Sequence, residues 1–303
     1  MYLELIKLVS LPVIALGAIV GADVSALSGA FAAPTFEQVG QYGVGEDSAA
    51  EIIASDGQIL AYSNSDKGSI DFVSIIDPSN PTSITSVDVG GEPTSVAIHN
   101  GYAIAAINTS ESFTNPSGYV AVIDLWDYQV VKEIVLAGQP DAVAISPNGK
   151  FAAVAIENER DEDLNDGLIP QYPAGNVAII NLEGEVTYAD VRGLAGIAPS
   201  DPEPEFVDIN DKGEIVVTLQ ENNHLVVLDS SGNVISHFSA GKVDLYDIDD
   251  TKDGYYMPVG SRQGVRREPD AVAWIDNDHF ATANEGDYKL KRRGEHKRGG
   301  SRG

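Results

Sequence analysis

Short apolar runs rich in Val, Ile and Ala, four to seven residues long, alternate with polar turn segments through most of this chain. The turns carry recognisable chemistry, as in Ser146-Pro-Asn-Gly149, Asn210-Asp-Lys-Gly213 and Asp229-Ser-Ser-Gly232. Such runs bounded by Gly, Pro, Asn and Asp read as β-strands and hairpins. No window sustains the 3.6-residue apolar stripe of an amphipathic helix. One stretch predicts four strands in a row, at Ala142–Ile145, Phe151–Ile156, Asn176–Ile180 and Glu185–Val191.

That stretch belongs to an internal repeat. Glu92-Pro-Thr-Ser-Val-Ala-Ile98, Gln139-Pro-Asp-Ala-Val-Ala-Ile145, Glu203-Pro-Glu-Phe-Val-Asp-Ile209 and Glu268-Pro-Asp-Ala-Val-Ala-Trp274 share one signature, with prolines 47, 64 and 65 residues apart. A second signature trails the first, in strands that end at Asp77, Asp124, Asn181 and Asp229, 47, 57 and 48 residues apart. Units of roughly 40–50 residues with four strands each predict an all-β fold, a β-propeller. About four and a half blades are expected, near 48–91, 92–138, 139–199, 200–266 and a partial 267–288, with the ring incomplete. The inserts Glu157–Asn176 and Lys242–Arg267 are expected to project as loops. An open ring would expose a blade face and a strand edge, which predicts self-association.

The ends read differently. An apolar run, Leu8–Val20, leads to Ala30-Phe31-Ala32, the pattern of an export signal covering residues 1–33. It is shorter than the roughly 18–20 apolar residues that a membrane span needs. Residues 289–303 hold seven Lys/Arg against one Glu and predict a solvated basic tail.

Charge narrows the partners. The 303 residues carry a net −27, which makes nucleic acid a poor ligand for most of the surface. There is no Cys, and so no disulfide, thiolate metal site or Cys nucleophile. The five His are scattered without ligand spacing, and no Gly-x-Ser-x-Gly, Walker loop or His-Glu-x-x-His occurs. Gly45-Glu-Asp-Ser-Ala-Ala50 echoes an alkaline-phosphatase nucleophile motif, but without the histidine metal sites that such enzymes need it reads as coincidence.

Carboxylates are the remaining chemistry. In a propeller the loop entering the first strand and the loop after the second strand emerge on one face. That face should gather Asp141, Glu205 and Asp270 with Glu157, Asn158, Glu159, Glu221, Asn222, Asn284, Glu285 and Asp287. Ca²⁺ suits such an oxygen-only set, because it takes about six to eight oxygen ligands. Asp161, Asp163 and Asp166 before Gly167 echo a calcium loop that lacks its closing Glu, and Asp247–Gly254 has the same flavour. Arg160, Arg262, Arg266 and Arg267 flank these loops; Arg160, Arg266 and Arg267 could clamp an anion or simply balance the acids. Asp77, Asp124, Asn181 and Asp229 read as turn initiators.

At these residues the chain resembles the YVTN-type propellers, whose blades carry Pro-x-x-Val-Ala-Ile and later Val-x-Val-Ile-Asp strands. More closely it resembles the choice-of-anchor I family of exported bacterial surface proteins. The matches are Ile156-Glu-Asn-Glu-Arg-Asp-Glu-Asp-Leu-Asn-Asp-Gly167 with Pro173-Ala-Gly-Asn176, and Arg267–Trp274 followed by Phe280-Ala-Thr-Ala-Asn-Glu-Gly-Asp287. The export signal, the repeat and the lack of a nucleophile motif point to a non-catalytic binding or adhesion module of the cell surface or matrix. Its rival is a Ca²⁺-dependent phosphoesterase of the phytase-like or alkaline-phosphatase-like kind, in which acidic loops hold metal and arginines hold phosphate.

Overall fold

A computed structural model describes residues 2–9, 35–46, 48–249 and 254–286. Four antiparallel sheets of four strands follow one another, each in simple sequence order. The first holds β3 to β6 (Ala50–Ser55, Ile59–Asn64, Ser69–Ser74, Thr82–Asp88) and the second β7 to β10 (Glu92–His99, Tyr102–Asn108, Gly118–Asp124, Gln129–Leu136). The third holds β11 to β14 (Pro140–Ile145, Phe151–Ile156, Asn176–Asn181, Val186–Ala189) and the fourth β15 to β18 (Pro204–Ile209, Ile215–Leu219, His224–Leu228, Val234–Ser239). A fifth sheet starts with β21 (Pro269–Trp274) and β22 (Phe280–Asn284). The first strands neighbour one another in turn, β3 to β7, β7 to β11, β11 to β15 and β15 to β21, which sets the sheets around an axis as propeller blades. Among the described residues there are no α-helices and no closed ring.

Each core lies between two blades, so central strands are apolar on both faces. In β8, Ala103, Ala105 and Ile107 pack with Ala61, Ile70 and Phe72 of the first blade. Ile104 and Ala106, one residue out of phase, face Val143 and Val154 of the third. The period of two thus survives, but burial on both sides turns it into a continuous apolar run. A third cluster joins blades three and four through Ala153, Val177, Val207 and Val217, and a smaller one joins Val216 and Val227 to Val272.

The turns form as their chemistry demands. Asp77, Asp124, Asn181 and Asp229 each accept a backbone N–H two or four residues on, at 2.8–3.0 Å. In Ser146–Gly149, the serine hydroxyl accepts from the N–H groups of Lys150 and Phe151, and Gly149 supplies a φ of +67°.

Two segments depart from expectation. In the second insert, β19 (Lys242–Ile248) pairs antiparallel with β20 (Gly260–Arg266), where a projecting loop was expected. Near the N-terminus, β1 (Tyr2–Val9) pairs antiparallel with β2 (Thr35–Gly43) in a sheet of its own, and Val44 just after it packs on Leu60, Tyr62 and Val73. Most of the expected export signal, its cleavage point, and the basic tail lie outside the described residues. No described helix is long and apolar enough to cross a membrane.

Candidate functional site: an acidic cavity at the blade mouths

Every blade begins with the same irregularity. The register slips immediately after Ala50, Pro93, Pro140, Pro204 and Pro269. A β-bulge re-aims the side chain it contains, and the residue that follows is in turn Glu51, Thr94, Asp141, Glu205 and Asp270. Pro140 pairs with Ile156 and Pro204 with Leu219, so the ends of the second strands carry Glu157, Glu159, Gln220 and Glu221 beside the bulges. The result is a cavity of about 620 Å³. Asp141, Glu157, Glu159, Glu205, Glu221 and Glu285 all line it, as expected from the repeat. Asp270 stands close enough to raise the proton affinity of Asp141 and Glu205. Asp287 lies outside the described residues.

The repeat also hides acids that a search for prolines overlooks. Glu51 lines the cavity from a blade whose proline position is Ala50, and only the shared register slip reveals the equivalence. Glu92, Glu162 and Asp166 line it too. Glu203, which precedes the signature proline, is 1% exposed beneath the wall.

The carboxylates fall into two groups. Those at the rim hold neutral donors: Ser65 Oγ donates to Glu51 at 2.8 Å, Asn108 to Glu92 at 3.2 Å, Gln139 to Glu159 at 3.3 Å, and Gln220 to Glu285. Deeper down, burial pushes Asp141 up to about 7, helped by the charges of Asp270, Glu159 and Glu51. Burial, then the charge of Asp141, pushes Glu205 up to about 9. Glu157 is raised well above the usual range, by burial and then by Glu205 and Asp141. Glu203 rises to about 10 through burial and the neighbouring Glu221.

Among the described residues one cation enters this wall. Arg160 Nη1 stands 2.5 Å from Glu221 Oε1 and 3.4 Å from Glu203 Oε2, while its Nε donates to Gly167 O at 3.0 Å. The insert is thereby tied to the fourth blade. Burial disfavours the Arg160 charge, but Glu221 and Glu203 outweigh it and raise its pKa.

Of Arg160, Arg266 and Arg267, only Arg160 lines the cavity. Arg266 sits 3.6 Å from buried Glu268, and Arg267 Nη1 donates to the carbonyls of Ala240 and Lys242. The acids of the expected calcium loop are not brought together at the cavity: Asp161 Oδ1 accepts the Asp163 N–H at 2.9 Å as a turn, and of Asp161, Asp163 and Asp166 only Asp166 lines it. No described set of three or more His, Cys, Asp or Glu is placed as metal ligands. Asn158 and Asn222, expected on the rim, are buried braces instead. They accept the N–H groups of Gln139 and Glu203 at 2.8 and 2.9 Å. Part of Asp247–Gly254 lies outside the described residues.

The model of the choice-of-anchor I domain matches residues 50–303. The chain belongs to that family. No curated protein matches this choice-of-anchor I chain in sequence. Among solved structures it is similar to Kuenenia stuttgartiensis hydrazine synthase, at 16% identity and a TM-score of 0.44, covering 83% of this chain and 86% of that one. It is also similar to Kluyveromyces lactis Hsv2, at 14% identity and a TM-score of 0.47 over 80% and 66% of the two chains. The Cps50 (Swd1) β-propeller domain of Myceliophteria thermophila follows at 10% and 0.46 over 71% and 70%. None of these likenesses bears on what the choice-of-anchor I chain does.

Proposed function

We propose that this choice-of-anchor I chain is an exported, non-catalytic binding module of the cell surface or extracellular matrix, and that its acidic mouth takes a cationic ligand. The cavity supports the cationic ligand: its lining holds many carboxylates and, among the described residues, one arginine, which is engaged with Glu203 and Glu221. A field of one sign in a cleft concentrates counter-ions of the other. The export pattern at residues 1–33 fits the same role.

Ca²⁺ is the inorganic cation that an all-oxygen lining would suit. The described carboxylates form no ready cage for it, so an ion would have to draw them together. The phosphoesterase reading is weaker, because a phosphate would enter a field of carboxylates and Arg266 and Arg267 lie elsewhere.

An assay of the full chain against a generic phosphomonoester, with Ca²⁺ and with chelator, tests the non-catalytic part, for which we expect no turnover. Metal-dependent hydrolysis would overturn it. Calorimetric titration with cations tests the mouth.

A further inference from the structure

The three deep carboxyls Asp141, Glu157 and Glu205 line the cavity with no hydrogen-bond donor and no ion-pair partner among the described residues, whereas each rim acid named above holds a donor. Glu157 is only 9% exposed, and Asp141 and Glu205 are partly buried beside it. Beside them the buried Glu221 Oε2 also lacks a donor, unless Glu203 keeps its proton. Burying a carboxylate without a partner costs several kcal/mol when burial is complete, and less for the partly buried Asp141 and Glu205, unless it stays neutral or meets a cation. Protonation is what the protein alone provides, and a cation is what would replace it.

The kind of cation follows from the geometry. A single ion is poorly matched to a cavity of about 620 Å³ in which no three described carboxylates stand as metal ligands. Pockets of about 300–1,000 Å³ are the usual size for organic ligands. The adjoining wall already shows how a guanidinium is received, with Arg160 reaching both Glu203 and Glu221. A guanidinium is planar, presents a fork of donors that matches carboxylates, and is more weakly hydrated than an ammonium, which favours it in a buried acidic site.

Resting on the reading of the mouth as a cation-binding face, we propose that Asp141, Glu157 and Glu205 form a site for a guanidinium-bearing organic cation, held as the chain holds its own Arg160. The charged groups facing this site are known from every element around it. Blade three adds Glu159, and blade four adds Glu203 and Glu221. The insert brings Arg160, Glu162 and Asp166. Blade five brings Asp270 and Glu285, and blades one and two bring Glu51 and Glu92. A permanently charged ligand must expel protons held by the deep carboxyls, so its binding strengthens as pH rises and releases protons to the buffer.

The test is calorimetry on the full chain at about 0.15 M salt, where surface charges are screened, with agmatine, an acetyl-Gly-Arg-Gly-Arg amide peptide, and CaCl₂ as probes. We expect agmatine or the peptide to bind with proton release, read from the dependence of heat on buffer, and about tenfold more tightly at pH 9 than at pH 6. Which of the two binds tells a free small cation from an arginine of a polypeptide. Glu157→Gln with Glu205→Gln should weaken binding about tenfold or more. Unchanged affinity in that variant, or binding without proton release in the wild type, would overturn the site. Ca²⁺ bound at the mouth with neither guanidinium probe would refute this inference and leave the cation-binding reading standing. No binding by any probe would end both.

Discussion

Gly118 lies so close against Pro140 of the next blade that a Cβ on the glycine would stand 2.2 Å from the proline Cδ. Gly175 meets Pro204 at 2.5 Å at the following interface. The signature proline is thus also a contact between blades, and the glycine facing it is required by space rather than by backbone angle. Gly118→Ala should overpack this contact and lower stability by about 1–3 kcal/mol in urea unfolding. Gly196→Ala, with open space around it and no positive φ, should be near neutral. Equal effects of the two substitutions would refute the contact.

Blade five is fastened to blade four by Asp208. Its Oδ2 accepts the Trp274 N–H at 2.7 Å and its backbone carbonyl accepts the indole Nε1–H at 3.3 Å. Asp208→Ala leaves a half-buried N–H without its partner, and a loss of about 1–3 kcal/mol is expected. Hydrogen exchange should show the Trp274 amide opening faster in this variant while the first three blades keep their protection.

Stability should fall as pH rises. Asp141, Glu203 and Glu205 go from ordinary values of 3.8, 4.5 and 4.5 to about 7, 10 and 9 in the fold. Between those limits the folded chain binds more protons than the unfolded one, so the free energy of unfolding declines with pH. The contribution is complete below about pH 4 and fades as each group ionises, so Tm should drop by several degrees between about pH 5 and pH 9. Flat or rising Tm over that window would show that the deep carboxyls already ionise freely.

Arg160→Met removes the cation paired with Glu203 and Glu221. Breaking a buried ion pair costs about 3–5 kcal/mol. The lower figure is expected here, because Glu203 retains a proton near neutrality. Arg160→Lys should recover only part, since an ammonium lacks the fork that also reaches Gly167 O. Denaturant unfolding at pH 7 measures both.

The strands were legible because their signals are local. Phe151–Ile156 was bounded correctly by its apolar run and the turn before it, and Glu157–Asn176 was recognisable as an insert by its lack of pattern. The pairing of β19 with β20 was not legible, since β20 is Gly- and Arg-rich and mostly exposed, with no apolar face for a pattern to record. The repeat alone placed Asp141, Glu157, Glu205 and Glu221 on one face. It could not tell the brace Asn158 from a ligand, or show that Asp161 closes a turn. Nor could it join Arg160 to Glu203 and Glu221, 43 and 61 residues away. Alternation and turn propensity act over a few residues, so a sequence carries them openly. Which carboxyls are buried, which are paired and which must keep their protons depends on distances between blades, and those exist only once the blades have packed.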